Sequence, residues 1–117
     1  MSTAILHTQP SGGSATGQEA LECAFAFSSL EIEVALFFQG DGIWQLMSEQ
    51  DTALNGFKTH SKAYSALPLY DITAIFVCED SLQQRGVVTS NLIIPVTQLS
   101  LAAFSERLNQ YQQVLRF

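Results

Sequence analysis

The sequence predicts an α/β fold: one three-layer domain over residues 1–117, with a mostly parallel sheet of about five strands and helices on both faces. Three observations carry this expectation. Short apolar runs alternate with helix-compatible segments in the order β-α-β-α-α-β-α-β-α-β. Two of the runs, residues 32–38 and 72–78, are apolar almost throughout, as strands covered on both faces are. A chain of 117 residues with 47% hydrophobic side chains has enough material for a core.

The elements follow in order. Residues 4–8 form the first apolar run, and the segment Pro10 to Gly17, rich in Ser and Gly, reads as a flexible loop. A helix is expected from Gln18 to Ser29, with Thr16 as cap and Glu19 three residues on. Its interior (Ala20, Leu21, Cys23, Ala24, Phe25, Ala26, Phe27) is apolar on nearly every side, which predicts cover from more than one direction and a subunit interface. The second strand, 32–38, ends in Gln39-Gly40-Asp41-Gly42, a turn opening onto a short helix at 43–47. Residues 49–55 are polar and read as a loop, and 57–67 as a helix that Pro68 ends.

The third strand, 72–78, is rich in Ile, Phe, Val and Thr and finishes on Cys78. Asp80 or Ser81 is the expected cap of the short helix after it, and Gly86 its end. Residues 92–96 are expected to make a short strand in which Pro95 withholds one ladder donor, as at an edge or strand end. A helix over 99–110 places Leu101, Phe104 and Leu108 on one face with Ser100 as cap, and 114–117 close the chain as a last strand.

Charge narrows the function. The net charge is −6, and five Lys and Arg in the whole chain are too few to displace the counterions of a nucleic-acid backbone. Anionic membrane surfaces are disfavoured for the same reason. No stretch approaches the roughly 20 apolar residues of a membrane span, and the first residues lack a signal-peptide layout. Charged residues are 14% of the chain, against roughly 25% in an average soluble domain. So sparse a charge predicts apolar surface covered by partner subunits. Two cysteines make neither a disulfide framework nor a metal site, so a cytoplasmic chain with reduced thiols, no metal and no bound cofactor is expected.

Cys78 is the candidate chemical site. A thiol at the carboxyl end of a parallel strand lies where open α/β sheets bind and react, and the amino end of the next helix favours thiolate over thiol. Glu79 and Asp80 oppose that, since carboxylates disfavour a further negative charge nearby. Cys23, inside the most apolar helix, reads as a small hydrophobe. The loop from Ser11 to Gly17 sits where nucleotide phosphates often bind, but it lacks the Gly-x-Gly-x-x-Gly spacing and any Lys. A flavodoxin-like module binding a small ligand is therefore the rival reading. His7 and His60 stand at no metal-ligand spacing, and Asp41, between two glycines, reads first as a turn residue.

Several segments together resemble the TusC/DsrF branch of the DsrE/DsrF-like family: Ile5 to Pro10 with Gly17 to Leu21, Val34 to Leu46 through Gly40-Asp41-Gly42, Leu69 to Ile72, Val77-Cys78 with Ser81, Leu82, Arg85 and Gly86, and the final Val114 to Phe117. The resemblance spans essentially the whole chain. It implies a cytoplasmic sulfur-relay subunit in a heterohexamer with TusB-like and TusD-like subunits. That complex receives persulfide sulfur from TusA and passes it towards TusE and the enzyme that thiolates tRNA wobble uridine. The alternative within the branch is a DsrF-type subunit working with DsrE and DsrH in sulfur oxidation. By the resemblance, Cys78 stands where the sister TusD/DsrE subunit carries its persulfide. The sister's flanks there are small and apolar, whereas here they are Glu79 and Asp80, which fits a structural partner of the sulfur-carrying subunit.

Overall fold

The computed structural model describes residues 2–9, 16–47 and 64–117. Its centre is a five-stranded sheet of β1 (Ser2–His7), β2 (Glu33–Phe38), β3 (Ala74–Cys78), β4 (Thr97–Leu99) and β5 (Gln113–Arg116), in the order β4-β3-β2-β1-β5. All four pairings are parallel. The helices are α1 (Thr16–Ser29), α2 (Glu79–Gln84) and α3 (Leu101–Leu108), joined by 3-10 turns at Gly40–Leu46, Leu67–Tyr70 and Thr89–Asn91.

The strand order dictates an uneven sandwich. From β1 to β4 the chain steps in one direction across the sheet, so right-handed crossovers put their connections on one face. The step from β4 back to β5 reverses direction and sends α3 to the other. The core divides accordingly. On the first face, Ile5, Leu36, Phe38, Ile75 and Val77 pack with Ala20, Leu21 and Ala24 of α1, Ile43 and Leu46 of the 3-10 turn, and Leu82 of α2. On the second, Ala4, Leu6, Ala35, Phe37, Phe76 and Cys78 pack with Phe104 of α3. The period-2 alternation of each strand assigns its residues to these faces.

Several boundaries differ from the sequence expectation. The edge strand is Thr97–Leu99, not 92–96. Pro95 has no N–H to give, so pairing with β3 begins only beyond it, and Ile93 N–H is spent instead on the Leu46 carbonyl at 2.9 Å. Helix α2 starts at Glu79, with Cys78 rather than Asp80 or Ser81 in the cap position and no side-chain cap bond. Glu79 and Asp80 occupy its first turn, where the helix dipole favours carboxylates. Thr16 lies inside α1 rather than before it. Helix α3 is shorter than expected, but Ser100 caps it, its Oγ accepting from the Ala103 N–H at 3.3 Å.

Gly86 ends α2 at φ +65°, a left-handed position that suits glycine. On α1, Ala20, Leu21 and Ala24 are buried, Cys23, Phe25 and Phe27 half-buried, and Glu22 and Ala26 exposed. The helix is thus covered on one side, Cys23, Phe25 and Phe27 pack against the same core, and the residues it exposes, Glu19, Glu22, Ala26 and Ser29, are mostly polar. The loop over 10–15, the loop over 49–55 and most of the helix over 57–67, with His60, lie outside the described residues; Tyr64 and Ser65 are helical.

Candidate functional site

The carboxyl edge of the sheet gathers His7, Phe38, Cys78 and Leu99 from the ends of four adjacent strands. Cys78 is 1% exposed. Its side chain shares the α3 face with Phe76, Leu6 and Phe104, and its backbone is in register with Leu99 of the edge strand. The thiol thus stands at the expected strand end and helix start, but it points into the thinner layer of core. Cys23 is half-buried against the other face, and burial raises its thiol's pKa.

Next to Cys78, two connections are clasped together. Arg85, just after α2, donates through Nη2 and Nε to Asp41 Oδ1 at 3.0 and 3.3 Å, and through Nη1 to the Ser81 carbonyl at 3.2 Å. The Gly40 N–H donates to Ser81 Oγ at 2.9 Å. Asp41 is therefore more than a turn residue: it anchors the 3-10 turn after β2 to the helix after β3. Gly40 holds φ +57°, a left-handed position that favours glycine, while a Cβ there would only touch Arg85 Nη2 at an ordinary 3.8 Å. A Cβ on Gly42 would meet the His7 carbonyl at 2.1 Å, so only glycine lets the turn lie on the end of β1.

That close approach seals His7, which sequence reasoning passed over. Its ring is fully buried and stacked on Phe38, centroids 4.3 Å apart. Nδ1 donates to the Phe37 carbonyl at 3.2 Å, and Nε2 has no partner among the described residues. Burial pushes its pKa down to about 4, opposed by backbone hydrogen bonds including that to Phe37. The ring is neutral at pH 7. A polar chain runs from the interior outward: Tyr64 O–H donates to Gln45 Oε1 at 3.0 Å, and Gln45 Nε2 to the carbonyl of exposed Gln9 at 2.7 Å. Burial also raises the Tyr64 pKa, so the phenol stays a donor. One signal for this arrangement was legible, the Gly-Asp-Gly turn; its partners in β1 and α2 were not.

Among the described residues, no group of three His, Cys, Asp or Glu side chains is placed to hold a metal ion. The loop from Ser11 to Gly17, on which the nucleotide-like reading rests, lies mostly outside the described residues.

The profile of the DsrE/DsrF-like family matches residues 1–117. The chain belongs to the DsrE/DsrF-like family. Within it, the chain is 35% identical to the TusC homolog of Vibrio parahaemolyticus serotype O3:K6 over 105 residues, covering 90% of this chain and 89% of that protein. Two solved structures share the fold. The ychN protein from Escherichia coli superposes with a TM-score of 0.75 at 19% identity over all of both chains. A conserved protein of unknown function from Bacteroides thetaiotaomicron gives 0.68 at 12% identity, covering 98% of this chain and 94% of the other. Two of the segments that carry the DsrE/DsrF-like resemblance contain the halves of the clasp, Gly40-Asp41-Gly42 in one and Ser81 with Arg85 in the other.

Proposed function

We propose that this chain is a sulfur-relay subunit acting in the cytoplasm with TusB-like and TusD-like partners. Its main task is structural, and Cys78 is its candidate sulfur site. The likeness to a TusC homolog over nine-tenths of the chain carries this reading. In the relay, TusA supplies persulfide sulfur and TusE accepts it on the way to tRNA wobble uridine. The structural role is supported by the burial of Cys78 at 1% exposure, since a carrier must meet both donor and acceptor.

Loading of Cys78 would be a plain exchange. Its sulfur attacks the outer sulfur of a donor persulfide R–S–SH, the donor's S–S bond breaks, and Cys78–S–SH and R–SH result with no net oxidation. Incubation of the chain, alone and with its partners, with a persulfide donor and reading of intact mass tests the assignment. In the structural role the TusD-like subunit gains about 32 Da, one sulfur atom. Cys78→Ser then leaves both assembly and that gain intact. A gain of about 32 Da on this chain that Cys78→Ser abolishes would make it a carrier instead. Failure to co-purify with the TusB-like and TusD-like subunits would overturn the relay reading itself.

A further inference from the structure

We infer that the segment Thr97–Leu108, edge strand β4 with helix α3, is a lid that opens locally to uncover Cys78 without unfolding the rest of the chain. Its bearing on sulfur chemistry rests on the relay reading above.

The two sheet faces are covered very differently. The first carries α1, two 3-10 turns, α2 and the clasp. The second, where Cys78 points, has α3 as its only helix among the described residues. Along α3 a single side chain, Phe104, is fully buried; Ala103 and Leu108 are half-buried and the other five are exposed. Phe104 meets Phe37 edge-on with ring centroids 5.3 Å apart, and Arg107 lies over the Phe76 ring at 5.2 Å. β4 is three residues long and largely exposed, and among the described strands it pairs with β3 alone. Few buried apolar contacts and an edge position mark the low end of local stability.

The limits of the lid are also set. Before it, the Ile93 N–H holds the Leu46 carbonyl at 2.9 Å. After it, Gln112 and Ser2 exchange two hydrogen bonds at 3.0 and 3.1 Å, tying the chain back to β1. Between these anchors Pro95 and the turn at 109–112 offer two bends. On the far side of Cys78 the Arg85–Asp41 clasp fixes α2, so the weaker side is the β4 side. Parting Leu99 from its register with Cys78 and lifting Phe104 uncovers the thiol together with Phe76, while Tyr111, beyond the lid, stays edge-on against Phe37 with centroids 5.6 Å apart.

The test is the rate at which a disulfide reagent, dithiobisnitrobenzoate, labels Cys78 in the full chain carrying Cys23→Ser, measured over a series of low urea concentrations. Opening through the lid gives a rate with weak urea dependence. Ser100→Ala, which removes the cap, raises that rate by about fivefold, and Phe104→Ala by at least about tenfold. Val87→Ala, buried on the opposite face, lowers global stability but leaves the rate unchanged. If all three variants speed labelling in step with global stability, or if none does, the lid is overturned. Should Phe104→Ala not fold, Ser100→Ala against Val87→Ala decides. A lid that opens while no sulfur loads Cys78 sinks the carrier chemistry only, and the relay reading is judged separately by co-purification.

Discussion

His7 shows how much one buried ring can govern. Its imidazole sits neutral beneath the Gly42 backbone, with Nε2 unpartnered among the described residues and a pKa of about 4, against 6.5 in an exposed histidine. Between those two values the unfolded chain binds a proton that the folded chain refuses, so acid pulls the equilibrium towards unfolding. Stability is therefore full above pH 6.5 and falls as pH drops through 4. The expected loss is on the order of 3 kcal/mol, since each tenfold fall in proton affinity costs about 1.4 kcal/mol and the ring is fully buried. Urea titrations at pH 7 and about pH 4.5 on the protein and on His7→Phe measure it. The variant should show a clearly shallower decline, and parallel declines would remove His7 as the cause. None of this could be read in sequence. A lone histidine at a strand end carries no signal until the Gly-Asp-Gly turn is seen to close over it.

Among the elements, α2 has the most to explain. Six residues are too few for a helix to stand on propensity, so tertiary anchors must hold it. Leu82 is one, and the Arg85–Asp41–Ser81–Gly40 clasp is the other. The ion pair is only partly shielded, with side-chain exposures of 19% for Arg85 and 56% for Asp41. Solvent screening therefore leaves it about 0.5–1 kcal/mol. A double-mutant cycle of Arg85→Gln with Asp41→Asn should return a coupling of that size that shrinks in about 1 M salt. Zero coupling at low salt would reduce the clasp to the Ser81–Gly40 bond. The end of α2 was signalled locally by Gly86. The helix cap was misplaced because Asp80 and Ser81 are good caps by type, while the strand itself delivers the chain to the helix at Cys78. The 92–96 run misled for a related reason. Three apolar residues before a proline look like a strand, and only the geometry shows Ile93 bonded across to Leu46 instead.

For the whole molecule the decisive quantity is how its few cations are used. Alternation of elements made the parallel sheet legible, because period-2 and helical stretches follow one another along the chain. The order β4-β3-β2-β1-β5, which leaves one face thinly covered among the described residues, was not, since it depends on which edge the last crossover reaches. Charge is less topological. Of five Lys and Arg, Arg85 is bound in the clasp and Arg107 lies over Phe76, while 11 carboxylates set the net charge at −6. Phosphate contacts need clustered, unengaged cations, and a field of this sign repels a polyanion at long range. Under the relay role proposed above the chain works upstream of tRNA and should not grip it. Filter binding of the chain to bulk tRNA at about 0.15 M salt is expected to show no retention at about 1 µM protein, and lowering the salt should not rescue it, because no counterions stand to be released. Retention that rises steeply as salt falls would mean that the nucleic acid is met directly.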